Sequence, residues 1–164
     1  MGTGKSSVGR LVAEALHFTF LDTDEVIEAK AGKSIADLFD QQAEAAFREM
    51  ERKLVIELAS RTQTVISTGG GLPVTPANLA GLKAHALVIC LWASPEDIFE
   101  RVRHQGHRPL LKEADPLARI RALLAAREPF YRQADVLVNT GARSVKEVAH
   151  QVIHQFRAAG SEPK

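Results

Sequence analysis

The chain opens Met1-Gly-Thr-Gly-Lys-Ser-Ser7, and Val8, Leu11, Val12, Ala15 and Leu16 follow at helical spacing. A glycine-rich turn feeding straight into an amphipathic helix reads as the back half of a phosphate-binding loop. Its glycines let backbone N–H groups close on phosphate oxygens, and the helix N-terminus adds positive potential. Lys5 would then reach the phosphates, and the Ser6 hydroxyl would sit on a magnesium ion. The plainer alternative is a Gly-rich tail in front of an ordinary amphipathic helix. The full motif asks for another glycine five residues before Gly4 and normally a strand before that, and both would precede Met1. The expectation is therefore a fold whose first strand is missing from this chain, with Met1 an internal methionine of the loop. The less favoured alternative is that another segment or chain fills the slot.

Short apolar runs alternate with longer helical patterns along the remaining sequence. Thr19–Asp22, Thr64–Ser67, residues 86–92 and Val136–Asn139 are the strand candidates, and their lack of alternation suits strands buried on both faces of a parallel sheet. The helices have legible starts. Ser94-Pro-Glu-Asp97 supplies an N-cap, a first-turn proline and an acid three residues on; Ser144-Val-Lys-Glu147 is a capping box; Thr75-Pro76 and Asp115-Pro116 open two more. This alternation predicts a doubly wound α/β fold with right-handed crossovers. At 164 residues, one domain with one good core is the fitting size, followed by a frayed tail over 160–164.

Composition narrows the function. Lys and Arg total 21 against 20 Asp and Glu, a formal net charge of +1, which argues against a mainly electrostatic nucleic-acid binder and leaves room only for a local basic patch. The single cysteine, Cys90, excludes an internal disulfide and a cysteine-rich zinc site, and inside an apolar strand it reads as a core residue. The longest apolar run, 86–93, is too short to cross a bilayer, and the N-terminus has no signal or transit pattern. A cytoplasmic setting is the expectation.

Several constellations carry two readings each. Asp22-Thr-Asp24 ends a strand candidate and opens a helix; the acids either cap it, or Asp22 helps hold magnesium while Asp24 accepts a hydrogen bond from a substrate hydroxyl. Arg48 and Glu51 share a face of a helix expected over 43–61; they either simply pair, or Glu51 holds the guanidinium while its free edge grips a carboxylate. Gly69-Gly-Gly71 costs chain entropy without adding packing, so close approach of a ligand to bare backbone is the better account. His107-Arg108-Pro-Leu-Leu111 lies in a polar stretch, 103–115, that is either a solvated loop or a lid whose Arg108 closes over a transferring phosphoryl group. Arg127 precedes a mid-helix proline and is otherwise an ordinary exposed residue at a kink. His150 and His154, four apart, lack an intervening acid and read as a solvated helix face. The phosphate loop, Asp22-Asp24 and Gly69-Gly71 all fall at C-terminal ends of strands, the edge where open α/β sheets bind ligands.

In order along the chain, Gly2-Thr-Gly-Lys-Ser-Ser-Val-Gly-Arg10, Leu21-Asp-Thr-Asp24, Ser34-Ile-Ala-Asp-Leu-Phe39, Phe47-Arg-Glu-Met-Glu51, Gly69-Gly-Gly71, Arg108-Pro-Leu-Leu111 and Arg127-Glu-Pro-Phe-Tyr131 resemble the shikimate kinase family of phosphate-loop enzymes. The resemblance implies transfer of the γ-phosphoryl of ATP to the 3-hydroxyl of shikimate, in aromatic amino-acid biosynthesis. It implies a three-layer α/β/α fold with a five-stranded parallel sheet in the order 2-3-1-4-5, and a substrate-binding region over 27–54. Carried over residue by residue, Gly2, Thr3, Gly4, Lys5, Ser6 and Ser7 bind ATP, with Ser6 and Asp22 at the magnesium. Asp24, Arg48, Gly70, Gly71 and Arg127 contact shikimate. Lys5, Asp24 and the lid residue Arg108 are catalytic, and Arg101 and Arg143 flank adenine. The implied partners are small molecules, with no nucleic acid and no membrane, and the implied state is a monomer. The rivals are a gluconate-type sugar-acid kinase and an inactive nucleotide-binding remnant lacking its first strand.

Overall fold

The computed structural model describes residues 2–40, 44–103 and 115–160. Helix α1 (Lys5–Leu16) leads into strand β1 (Thr19–Asp22), then α2 (Thr23–Ala31), α3 (Ile35–Asp40) and α4 (Glu44–Leu58). Strand β2 (Thr64–Ser67) passes through a short 3-10 turn, Leu72–Val74, into α5 (Pro76–His85) and β3 (Ile89–Trp92). Helices α6 (Pro95–Val102) and α7 (Pro116–Tyr131), strand β4 (Val136–Asn139) and α8 (Val145–Gly160) complete the order.

The helix starts form as their sequences dictate. Asp22, Ser94 and Asp115 each accept a hydrogen bond from a first-turn amide, at 3.0, 3.1 and 2.9 Å. Ser144 and Glu147 satisfy one another's amides reciprocally, the capping box its spacing predicts. Two elements differ from expectation at their ends. The helix expected over 43–61 stops at Leu58, with Arg61 N–H closing a turn onto the Leu58 carbonyl. The strand expected over 86–92 begins at Ile89, because the Ala86 amide is spent capping α5 through Leu82 and the Val88 amide donates to Asp135. Helix α7 runs on through Pro129 to Tyr131.

The strands form two separate parallel ladders. β1 pairs with β2 from Thr19↔Thr64 to Asp22↔Ser67, and β3 pairs with β4 from Ile89↔Val136 to Trp92↔Asn139. These are the 2-3 and 4-5 halves of the expected order, and no ladder joins β2 to β3 among the described residues. Helices cover both faces. On one, α1 and α8 pack together, and Val8, Val12, Val148 and Ile153 meet Val65, Ile89, Leu91 and Val138. On the other, Ile27, Leu54, Val55 and Leu82 meet Leu21, Ile66 and Val88. That is the three-layer α/β/α arrangement.

Between the ladders lies an apolar cavity of about 530 Å³, lined by Val65 and Ile66 of β2, Ile89 and Leu91 of β3, Val8 and Val12 of α1, and Leu79 and Leu82 of α5. Its presence corrects one expectation. The strands are mostly half-buried rather than buried on both faces, and only Ser67 and Val138 among their residues are buried. Cys90 is likewise half-buried and lines this cavity instead of sitting in a sealed core; burial raises its thiol pKa, against the opposing charge of Lys5. Among the described residues no helix is long and apolar enough to cross a membrane.

Candidate active site

The phosphate loop is bent by glycine. Gly4 caps α1 at φ +85°, a left-handed conformation costly for any residue with a Cβ, and its carbonyl accepts the Val8 amide at 2.8 Å. In the first turn of α1, the Ser6 hydroxyl donates to Asp22 Oδ2 at 2.9 Å and lies 3.4 Å from the Ser67 hydroxyl. The start of α1 and the ends of β1 and β2 therefore converge on one group of hydroxyl and carboxylate oxygens. These are hard donors of the kind magnesium takes, together with water and phosphate oxygens. No cluster of three or more His, Cys, Asp or Glu is gathered for a metal among the described residues, and His150 and His154 lie exposed on α8.

Asp22 also orients its neighbour, since its Oδ1 accepts the Asp24 amide. Asp24 is pushed up to about 6, first by burial and then by the Asp22 charge, with Lys5 opposing and Glu51 and Glu28 adding to the rise. That brings a carboxyl into the range where a general base works at neutral pH. The glycine turn presses against it: a Cβ on Gly69 would stand 2.3 Å from Asp24 Oδ1. Gly69 N–H in turn donates to Thr23 Oγ1 at 3.0 Å, a hydroxyl that is completely buried.

On the other side of the turn, Arg48 Nη1 donates to Glu51 Oε2 at 2.7 Å, and Nη2 reaches Glu44 at 3.3 Å. Partial burial pulls the Arg48 pKa down, but bonding to Glu51 and Glu44 more than offsets it and holds the guanidinium charged. Glu51 is 1% exposed. Burial raises its pKa, while the hydrogen bond and charge of Arg48 and the charge of Arg127 oppose that rise. Gly71 leaves room for this pair, because a Cβ there would meet Arg48 Nη1 at 2.8 Å.

A cleft of about 680 Å³ gathers the phosphate loop from Gly2 to Ser7, Asp22, Asp24, Gly69, Gly70, Arg101, Arg127 and Arg143. Arg48 and Gly71 stand next to each other behind the glycine turn. Arg101 and Arg143 are structurally engaged at its far wall. Arg101 bonds Thr140 Oγ1 at 2.9 Å, the Thr140 carbonyl at 2.5 Å and the Gly2 carbonyl at 3.5 Å. Arg143 bonds the Asn139 carbonyl and Gln151. Arg108 and the stretch 104–114 of the expected lid lie outside the described residues.

Four residues escaped the sequence reading: Thr23, Ser67, Tyr131 and Thr140. Ser67 was within reach of the strand-end rule that picked out Asp22, since the two are register partners. Tyr131 lies in a motif noted for its arginine. Thr23 and Thr140 give no local signal, as their roles arise from tertiary contacts.

The comparisons with known proteins point to one family. A family model described as shikimate kinase matches residues 1–157. A shikimate kinase of Caldanaerobacter subterraneus is 43% identical over 156 residues, covering 95% of this chain and 91% of its own length. The solved shikimate kinase of Acinetobacter baumannii, in complex with shikimate, superposes with a TM-score of 0.90 at 34% identity, over 99% of this chain and 91% of its own. A gluconokinase of Sinorhizobium meliloti matches at 20% identity and a TM-score of 0.62, a likeness of fold alone. With a family model matching nearly the whole chain and a relative 43% identical over 95% of it, the chain belongs to the shikimate kinase family.

Proposed function

We propose that this protein transfers the γ-phosphoryl group of ATP to the 3-hydroxyl of shikimate, giving shikimate 3-phosphate and ADP for aromatic amino-acid biosynthesis. The observation that carries the reading is Asp24, a carboxyl raised to about 6 at the mouth of the phosphate loop and pressed against a glycine turn. Asp24 takes the proton from the 3-hydroxyl as that oxygen attacks the γ-phosphorus, and the bond to the ADP oxygen breaks. Lys5 and the loop amides of Gly2, Thr3, Gly4, Ser6 and Ser7 hold the phosphates in line. Arg48 and Arg127 hold the shikimate carboxylate, and the Gly70 and Gly71 amides face its hydroxyls. Arg101 and Arg143 flank adenine, and Arg108 closes with the lid over 103–115.

Ser6 and Asp22 are the residues that would hold magnesium, whose charge when bound offsets that of the phosphates. The fit rests on their convergent oxygens, 2.9 Å apart, with Ser67 beside them. The reading includes a single kinase domain over 1–159, working as a cytoplasmic monomer on small molecules. A coupled ADP-release assay with shikimate, gluconate and nucleoside monophosphates tests this reading. Turnover with shikimate alone supports the proposal. Turnover with gluconate, or ATP binding with no turnover on any acceptor, refutes it.

A further inference from the structure

Tyr131 is the only tyrosine in the chain; it ends α7 and lines the apolar cavity between the ladders. Its hydroxyl donates to the Gly70 carbonyl at 2.8 Å, joining residues 61 apart in sequence. Arg127 sits one turn earlier on the same helix and lines the cleft together with Gly70. Burial raises the Tyr131 pKa, and Arg127 opposes it through both charge and hydrogen bonding. The glycine turn is thus pinned at two places: Gly69 N–H by Thr23 on α2, and Gly70 C=O by Tyr131 on α7. Between these pins the backbone runs past Asp24 on one side and Arg48 on the other.

We infer that Tyr131 is a positioning residue whose hydroxyl clips α7 to the glycine turn, fixing Arg127 relative to the Gly70–Gly71 backbone. The aromatic ring alone cannot do this, because packing is non-directional whereas the hydroxyl donates one directed bond to the Gly70 carbonyl. Without the hydroxyl the half-buried Gly70 carbonyl loses its partner, and the turn and the guanidinium are free to move independently. The consequence for substrate rests on the proposed shikimate site; the clip itself does not.

The test compares the parent with Tyr131→Phe, Arg127→Gln and the double variant. Calorimetric titration with shikimate and with a non-hydrolysable ATP analogue is paired with the NMR signal of the isotope-labelled ring Cζ of the single tyrosine in ligand-free protein. Tyr131→Phe is expected to weaken shikimate binding about 5- to 50-fold, leave the ATP analogue within about twofold, and add nothing once Arg127 is already Gln. Arg127→Gln is expected to shift the Tyr131 Cζ signal without any ligand present. Equal weakening of both ligands, or an undiminished Tyr131→Phe effect in the Arg127→Gln background, makes the ring a packing element and overturns the inference. So does an unmoved Cζ signal. If the parent binds no shikimate, the substrate reading fails by itself, and the Cζ signal alone decides for or against the clip.

Discussion

Glu51 accepts a 2.7 Å hydrogen bond from Arg48 while being almost wholly enclosed, so the charge pair is anchored at its carboxylate end, and the part-exposed guanidinium reaches on to the exposed Glu44. An arginine held in this way can present a planar edge to a second carboxylate. Arg48→Lys keeps the charge and loses the edge. It is expected to weaken shikimate binding by roughly 1–3 kcal/mol and to leave ATP binding nearly unchanged. Titration calorimetry with each ligand checks this, and equal losses would refute the carboxylate role.

Asp24→Asn is expected to lower turnover by about 10²- to 10⁴-fold with a smaller effect on shikimate affinity. In the parent, kcat/KM should fall on the acid side with a midpoint near 6, the pKa of Asp24, and that limb should vanish in the variant. Turnover within about threefold of the parent would reduce Asp24 to a capping residue.

The same raised pKa fixes a sign for stability. The folded state holds the Asp24 proton more tightly than the unfolded chain, so this group favours folding below pH 3.8 and that contribution is lost as pH rises towards about 6. Above that window the parent folds around an unwelcome charge. Asp24→Asn should therefore raise the melting temperature at pH 8 by more than at pH 4, at about 2–4 °C per kcal/mol gained. Thermal melts at the two pH values settle the sign.

Gly69→Ala would force the Asp24 carboxylate aside, because the new methyl lands 2.3 Å from its oxygen. The obstructing atoms are the tip of a side chain rather than backbone, so the fold should survive while the base is misplaced. Turnover is expected to drop at least about tenfold, with the melting temperature within a few degrees of the parent. A variant with parental turnover would show that Asp24 has slack the structure does not reveal.

Three of the four strands could be read from the sequence to the residue, because each is a short apolar run stopped by a polar residue at the sheet edge. The exception, 86–92, is continuous apolar sequence, and only the tertiary bonds of Ala86 and Val88 decide where its ladder begins. The site was legible where glycines and acids cluster within one motif, as at Asp22-Asp24 and Gly69-Gly71. It was illegible where one residue meets another far away in sequence. Thr23 reaching Gly69, Tyr131 reaching Gly70 and Arg101 reaching Thr140 are contacts of the folded chain, and no local pattern encodes them.

The two walls of the cleft belong to different ladders. Asp22, Asp24 and Ser67 ride with β1 and β2, whereas Thr140 and Arg143 follow β4. The plates carrying these walls share no ladder among the described residues and are joined by the side chains of α1, α8 and α5 and by the Tyr131–Gly70 hydrogen bond. Any molecule long enough to touch both walls therefore acts as a crossbar. The free energy of its binding appears as resistance of the plates to parting, and occupants of opposite walls influence one another's grip through the plates.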